Sequence, residues 1–166
     1  MLAPVAIPRR LSLVALALAA VATAACAGKK VEQRTSEGPT AEQAFMYRTL
    51  QQNGREPTFE ERRTWRDDLD LRISRYLNEH PEAANSFAVT KFRFLRQASV
   101  GMTAEQIEIL LGAPEERATG PARLEQLARK YWPQIKGRAS DAWVYPLGWN
   151  LYFTGGTLVE ITQYLE

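Results

Sequence analysis

The sequence predicts an α+β fold, with amphipathic helices first and a small antiparallel sheet at the C-terminal end. Three segments begin with the capping-box pattern Thr-x-x-Gln/Glu, in which the threonine accepts a hydrogen bond from a helical amide. Near the C-terminus, three short segments rich in aromatic and branched residues are typical of strands. Gly155-Gly156, between the last two, is typical of a hairpin turn. We therefore expect N-terminal helices followed by a three-stranded antiparallel meander.

The N-terminal segment predicts export from the cytoplasm. Arg9 and Arg10 are followed by an uncharged run over residues 11–25 that consists mostly of Leu, Val and Ala. As a helix this run would be about 22 Å long, which is shorter than the ~30 Å hydrocarbon core of a bilayer. A run of this length after basic residues indicates a signal peptide over residues 1–25 and not a membrane span.

Cys26 is predicted to be the lipid anchor. The run Thr23-Ala-Ala-Cys26 resembles a bacterial lipobox, in which the cysteine receives fatty acyl chains such as palmitate and the chain is cut before it. The alternative is an ordinary signal peptide with a cysteine after it by chance. The lipobox is favoured because Cys26 is the single cysteine, and a lone thiol in an exported protein has no disulfide partner. Ala27 stands where Asp signals inner-membrane retention, which implies the periplasmic face of the outer membrane in a Gram-negative host.

The mature chain is expected to be electrically balanced. The full sequence has 21 Lys plus Arg and 19 Asp plus Glu, and loss of Arg9 and Arg10 with the signal peptide leaves 19 of each. A balanced chain has no general attraction to a polyanion, and export separates it from nucleic acid. We therefore expect no nucleic-acid partner.

The first part of the mature chain is predicted to be a tether followed by helices. Residues 26–39 lack apolar periodicity, which favours a flexible tether between the lipid and the fold. Helices are predicted over residues 40–53 and 58–80, and a helix is favoured over residues 82–97, with a strand over 91–94 as the alternative. The second helix has an apolar stripe at helical spacing, formed by Trp65, Leu69, Ile73, Tyr76 and Leu77.

The C-terminal unit, residues 98–166, has the clearest pattern. A helix is expected over residues 103–111, because Gly112 can adopt the left-handed C-cap conformation and Pro114 prevents continuation. A second helix is expected over residues 121–132. Strands are expected over residues 141–145, 149–153 and 157–163. Alternation places Trp149, Leu151 and Phe153 on one face, with Val159 and Ile161 as cross-strand partners.

Catalytic and metal-binding patterns are weak in this sequence. His80 is the single histidine, and it has no second histidine or free cysteine with which to form a metal site. No motif supports a Ser-His or Cys-His nucleophile pair. Asp67, Asp68 and Asp70 lie on an arginine-rich helix and are interpreted as a solvated face. We expect a non-enzymatic protein without a cofactor.

Aromatic residues are the candidates for partner binding, since tryptophan and tyrosine dominate interface anchors. The candidates are Trp143, Tyr145, Trp149, Tyr152 and Tyr131. Most of these rings are expected in the core, and a solvent-facing row would be the interaction surface. A basic-aromatic group is interpreted as a helix surface, with contact to anionic lipid headgroups as the alternative. It consists of Lys91, Phe92, Arg93, Phe94 and Arg96.

Three motifs in this order resemble the SmpA/OmlA (BamE-like) family of outer-membrane lipoproteins. They are Gly101-Met-Thr, Leu111-Gly-x-Pro114, and Trp143-x-Tyr145 followed by an aromatic hairpin strand. The resemblance covers residues 99–165 and implies two short helices packed on a three-stranded antiparallel sheet. It also implies an accessory or scaffold role in outer-membrane β-barrel assembly or envelope integrity. The partners that it implies are the membrane, through the acyl chains, and the outer-membrane assembly complex or another envelope protein.

Two parts of the chain depart from this family. Residues 115–140 form a longer link that is expected to hold an extra helix, and residues 40–97 are a helical region that compact members lack. A unit as small as residues 98–166 is marginally stable alone, so the apolar stripe is expected to pack on it and residues 40–166 to form one unit. Because β-lactamase-inhibitor proteins use a related fold, an inhibitor or ligand-binding module is the alternative function. An envelope hydrolase ranks last.

Overall fold

A five-stranded antiparallel sheet, in the order β1-β7-β6-β5-β4, runs through the part of the chain that the structure describes. The structure is a computed structural model that describes residues 30–86 and 88–166. The strands are β1 (Val31–Thr35), β2 (Glu37–Thr40), β3 (Gln97–Ser99), β4 (Glu116–Thr119), β5 (Asp141–Tyr145), β6 (Trp149–Thr154) and β7 (Thr157–Leu165). Within the same residues, β2 and β3 form a separate two-stranded antiparallel sheet. Val31–Leu165 form one compact unit.

The helices lie between strands, and the first of them follows β2. They are α1 (Ala41–Asn53), α2 (Phe59–Glu79), α3 (Pro81–Ala84), α4 (Ala104–Leu111), α5 (Pro121–Ala128) and α6 (Trp132–Ile135), with a π-helix at Lys91–Leu95 and a 3₁₀ turn at Arg129–Tyr131. The predicted capping boxes of Thr40, Thr58 and Thr103 are confirmed, since each threonine accepts from the third helical amide and the side chain there reaches back.

The predicted three-stranded sheet with a two-helix unit is wrong, although the chain is α+β. β1 and β4 extend the sheet by one strand at each edge. β1 lies in residues predicted to be a flexible tether, and β4 lies in the long link over residues 115–140. Both are edge strands with mixed polar sequences, Val-Glu-Gln-Arg-Thr and Glu-Arg-Ala-Thr. Such strands lack the apolar alternation by which a half-buried strand is recognised.

The five-stranded sheet is covered on both faces. One face packs with α1, α2 and α4 in a cluster that includes Leu69, Ile73, Ile107, Leu151 and Ile161. The other face packs with α5 and α6 in a second cluster, whose buried members are Ala118, Leu124, Ala128, Ile135, Ala142 and Tyr152. The apolar stripe of α2 therefore shares one core with the C-terminal unit, and the long link supplies the cover for the opposite face.

Two helical predictions differ from the structure in detail. The predicted continuous helix over residues 121–132 ends at Ala128, and a further helical turn, α6, begins at Trp132. Pro133 lies in the first turn of α6 and does not end the helix. Proline lacks the backbone N–H donor, but an N–H in the first turn of a helix has no acceptor within that helix. The helix favoured over residues 82–97 is broken into α3 and the π-helix, and β3 begins at Gln97.

The predicted cross-strand partners are half right. Leu151 pairs with Ile161, as alternation predicts. Phe153 pairs with Leu158, and not with Val159, because a register shift lies between Tyr152 and Phe153. A bulge of this kind places two residues opposite one, and residues beyond it change their partners.

A close backbone contact joins the β5–β6 turn to the end of β7. Gly148 has φ +74°, and a Cβ placed on it would lie 1.6 Å from the carbonyl oxygen of Tyr164. The Gly148 carbonyl accepts a hydrogen bond of 2.9 Å from the Tyr164 amide. Gly156 has nearly the same φ, +76°, but its Cβ would have nothing within 4 Å.

Substitution of Gly148 should therefore cost much more than the same substitution of Gly156. We expect Gly156→Ala to lower the free energy of unfolding by about 1–2 kcal/mol, because an L-residue is strained at this φ. Gly148→Ala adds a backbone clash, and we expect a loss of more than about 4 kcal/mol. Urea denaturation of the two variants measures the difference. Equal losses would show that Gly148 does not contact β7.

Candidate interaction surfaces

The structure buries three of the aromatic partner-binding candidates. Trp143 is 7% exposed, Tyr145 1% and Tyr152 0%. Trp143 packs on Phe153 with ring centroids 4.5 Å apart, and the Arg117 guanidinium lies 4.5 Å from the Trp143 ring centroid. Helices cover both faces of the sheet, so these three rings lie in the core, where most of the aromatic candidates were expected, and they form no solvent-facing row.

The hydroxyl groups of the two buried tyrosines are hydrogen-bonded inside the fold. The Tyr145 hydroxyl donates to the carbonyl oxygen of Gly112 at 2.9 Å, which ties β5 to the end of α4. The hydroxyls of Tyr152 and Thr162 lie 3.1 Å apart and share a hydrogen bond. Burial raises the pKa of Tyr145 above its ordinary value and raises the pKa of Tyr152 to about 12.

Tyr131 and Trp149 are half-buried. The Tyr131 hydroxyl donates to the backbone carbonyl of Glu32 at 3.1 Å. The Lys130 ammonium lies 3.1 Å from the Glu32 carboxylate. Tyr131 thus joins the long link to β1, and only part of its ring is available to a partner. Trp149 packs against the cluster on the α1 side of the sheet.

A groove of about 600 Å³ between α1 and α2 is a candidate surface that the sequence did not single out. Phe45 and Trp65 line it, stacked with ring centroids 4.5 Å apart and planes 8° apart. The rest of the lining is polar and includes Glu60, Glu61 and Asp68. An aromatic pair with acidic neighbours suits an amphipathic segment that has an apolar anchor and basic flanks.

Arginine side chains hold both helices of this groove on α4. Arg48 of α1 donates to the carbonyl oxygens of Leu111 and Ala113, the latter at 2.8 Å. Arg72 of α2 donates to the carbonyl of Ile109 at 3.2 Å. These acceptors include carbonyls at the end of α4 that have no partner within the helix. The groove walls are thereby fixed to the sheet-forming part of the fold.

One acid of the groove has a strongly altered pKa. The Arg55 guanidinium donates two hydrogen bonds of 2.8 Å to the Glu61 carboxylate. These bonds, with the backbone amide of Thr58, lower the pKa of Glu61 to about 2. Glu61 therefore stays charged and completes the capping box at the start of α2.

A buried carboxylate on β7 is clamped by two arginines. Glu160 is 5% exposed and accepts two hydrogen bonds from Arg34, at 2.7 and 2.8 Å. Arg138, in the long link, also pairs with Glu160. These ion pairs connect β1, β7 and the link. No local pattern indicates this site, because Arg34 and Arg138 are distant from Glu160 in the sequence.

His80 and two of the three aspartates have structural partners. The His80 ring nitrogens lie 3.2 Å from Glu82 and 3.8 Å from Glu105, and the ring packs on Tyr76. Asp68 pairs with Arg72 on α2, Asp70 pairs with Arg96 beyond the π-helix, and Asp67 is exposed. Among the described residues, no group of three or more His, Cys, Asp or Glu could hold a metal ion.

The basic-aromatic group does not form one surface. Phe92 is fully buried. Lys91 pairs with Glu37 at 2.5 Å, and Arg96 donates two hydrogen bonds to Asp70. Arg93 and Phe94 are exposed at the end of the π-helix. The group is therefore divided between core, ion pairs and solvent.

The predicted signal peptide (residues 1–25) and Cys26 lie outside the described residues. No helix among residues 30–86 and 88–166 combines the length and apolarity needed to cross a membrane. No family model matches the sequence, and comparison with curated proteins and with solved structures also finds no match.

Ionisation of Tyr152 should destabilise the fold at alkaline pH. Its pKa is about 12 in the folded state and about 10 in an unfolded chain. The folded state therefore holds this proton more tightly, so the stabilisation is complete below about pH 10 and is lost as the pH rises towards 12. Urea denaturation at several pH values measures this loss. Between about pH 10 and 12, the free energy of unfolding of Tyr152→Phe should fall by about 2 kcal/mol less than that of the unsubstituted protein. Equal losses in the two proteins would contradict the burial of this phenol.

Proposed function

We propose that this chain is a lipid-anchored, non-enzymatic protein on the periplasmic face of the outer membrane. It serves as an accessory or scaffold subunit in the assembly of β-barrel outer-membrane proteins or in envelope integrity. The proposal combines the lipobox-like sequence at Cys26 with the resemblance of residues 99–165 to SmpA/OmlA lipoproteins. The observation that carries it is the convergence, in space, of the motifs on which that resemblance depends.

The motifs form one network of backbone and side-chain contacts. The Gly101 amide donates to the Leu158 carbonyl at 2.8 Å, and Thr103 forms a β-bridge with Thr157. These contacts join the start of α4 to the β6–β7 hairpin. The Tyr145 hydroxyl, in the Trp-x-Tyr motif, bonds to Gly112 at the other end of α4. Motifs that are far apart in sequence therefore lie together in a single helix-on-sheet unit.

The position of β1 gives the anchor a physical consequence. Val31 begins β1 only five residues after Cys26, and five residues span at most about 18 Å. A domain attached so closely is confined to a thin layer at the membrane. Confinement raises its effective concentration for membrane-embedded partners, so weak interfaces suffice for binding.

Affinity capture of the intact protein from membranes in mild detergent tests the proposal. We expect a mature chain that begins at acylated Cys26, seen as added fatty-acyl mass on the N-terminal peptide, and co-purification of barrel-assembly components. The matched control is Cys26→Ser, which removes the acyl acceptor without touching any described residue. We expect this variant to lack the acyl mass and to leave the membrane fraction, because one residue supplies the whole anchor.

Two results would contradict the proposal. A mature N-terminus at another residue, or a bare thiol on Cys26, would remove the anchor. Recovery of the acylated protein alone, in repeated crosslinked preparations, would remove the assembly role.

A further inference from the structure

We propose that one end of the five-stranded sheet rests on the bilayer surface through an apolar tip formed by Leu50, Leu147 and Leu165. This is the end at which β7 finishes and β1 begins. The inference rests on the proposed function, because it needs acylated Cys26 to hold the domain at the membrane. It adds to that function the surface that meets the lipid and hence the orientation of the domain.

Leu50 and Leu165 are exposed, and Leu147 is partly exposed. Leu50 is 48% exposed and Leu165 39%. Leu50 and Leu147 line one shallow cavity of about 270 Å³ with Met46 and Tyr47, and its lining is mainly apolar. A cluster of exposed apolar residues at one end of a domain is typical of a protein or membrane contact.

Leu165 belongs to the same patch because of the strand register. The Gln163 side-chain amide donates to the Leu147 carbonyl at 3.1 Å, so the end of β7 lies against the β5–β6 turn. Ile161 faces the cluster that contains Ala41 and Ala44 of α1. Side chains alternate along a strand, so Leu165 projects on that same side.

The short tether favours lipid as the occupant. Val31 lies directly opposite Leu165 on the neighbouring strand, and Cys26 is five residues before it. The acyl chains on Cys26 must enter the bilayer within about 18 Å of this strand pair. The Gly155-Gly156 turn is at the other end of β6, roughly 17 Å further away. The bilayer therefore lies on the side of the apolar tip.

Backbone strain at Leu147 is an independent indication. Leu147 has φ +60°, in the left-handed region that favours glycine and asparagine. The fold thus keeps an apolar side chain in a strained position at the surface. Strained residues of this kind are concentrated at functional sites.

Two cations lie at the same end of the sheet, on its opposite face. The Arg129 guanidinium lies 3.1 Å from the ring centroid of Tyr164, next to Leu165. Lys130 pairs with Glu32, next to Val31. Both cations are exposed, and long basic side chains beside an apolar surface suit the headgroup level of a membrane.

Depth-dependent fluorescence quenching tests this orientation. Acylation consumes Cys26, the single cysteine, so one introduced cysteine can be labelled specifically. The acylated protein is reconstituted in vesicles of phosphatidylethanolamine and phosphatidylglycerol that carry nitroxide-labelled lipid. We expect bimane at Leu50→Cys or Leu165→Cys to be quenched several-fold more strongly than bimane at Thr154→Cys, which lies at the other end of the sheet.

A second pair of variants separates lipid contact from simple proximity. Leu147→Asn removes the apolar side chain and suits the local φ, so the fold should persist. In this background we expect weaker quenching at Leu165→Cys. Leu71→Asn, which removes an exposed leucine from α2, should leave that quenching unchanged.

The outcomes distinguish the two proposals. A protein that fails to float with the vesicles would overturn the lipid anchor and this inference together. A protein that floats, with equal quenching at Leu165 and Thr154 or with stronger quenching at Thr154, would overturn only the orientation. Protection of Leu165 that requires a second protein and not lipid would also overturn the lipid contact.

Discussion

Pairing of β1 with β7 is the constraint on which the remaining structure depends. The register runs from Val31 opposite Leu165 to Thr35 opposite Ile161. It converts residues that looked like a tether into one edge of the sheet. It also leaves only residues 27–30 between the predicted anchor and the fold. The size of the sheet and the length of chain between the predicted anchor and the fold are therefore set by the same hydrogen-bonded strand.

The Glu160 ion pairs specify that register. A buried ion pair adds little net stability, since the loss of hydration offsets much of the attraction between the charges. Loss of one partner of a buried ion pair is nevertheless strongly destabilising, because the remaining buried charge then has no counterion. A slip of β1 by one residue would turn Arg34 to the other face of the sheet and remove its bidentate bonds to Glu160. The clamp therefore disfavours alternative pairings more than it stabilises the correct one.

The local signals in the sequence predicted the three capped helices and the hairpin, and they missed the sheet edges for a physical reason. Capping at Thr40, Thr58 and Thr103 depends on residues three positions apart, so it is visible in the sequence. The pairing of β1 joins residues at opposite ends of the chain and buries little apolar surface. An edge strand of this composition has no distinctive pattern, and the neighbours that stabilise it are invisible without the fold.

The candidate sites show the same contrast between signals that are local in the sequence and contacts that only the fold creates. Alternation placed Trp143 and Tyr145 on one face of a strand, but it could not show that helices cover both faces of the sheet. The α1–α2 groove was missed because Trp65 fits an apolar stripe whether its ring is buried or half-exposed. Its stacking partner Phe45 lies on another helix, and only the fold brings the two rings together. The apolar tip depends on the β7 register and on a strained turn, which no local pattern reveals.

Hydrogen exchange of the mature protein, followed by mass spectrometry, tests the pairing of β1 most directly. Amides of Val31–Thr35 that bond to β7 should exchange far more slowly than in an unfolded peptide, with protection approaching that of β7 itself. Exchange of the whole segment at the unfolded rate would contradict the pairing. Residues 26–36 would then be a long tether, and the sheet would have no fixed orientation to the membrane.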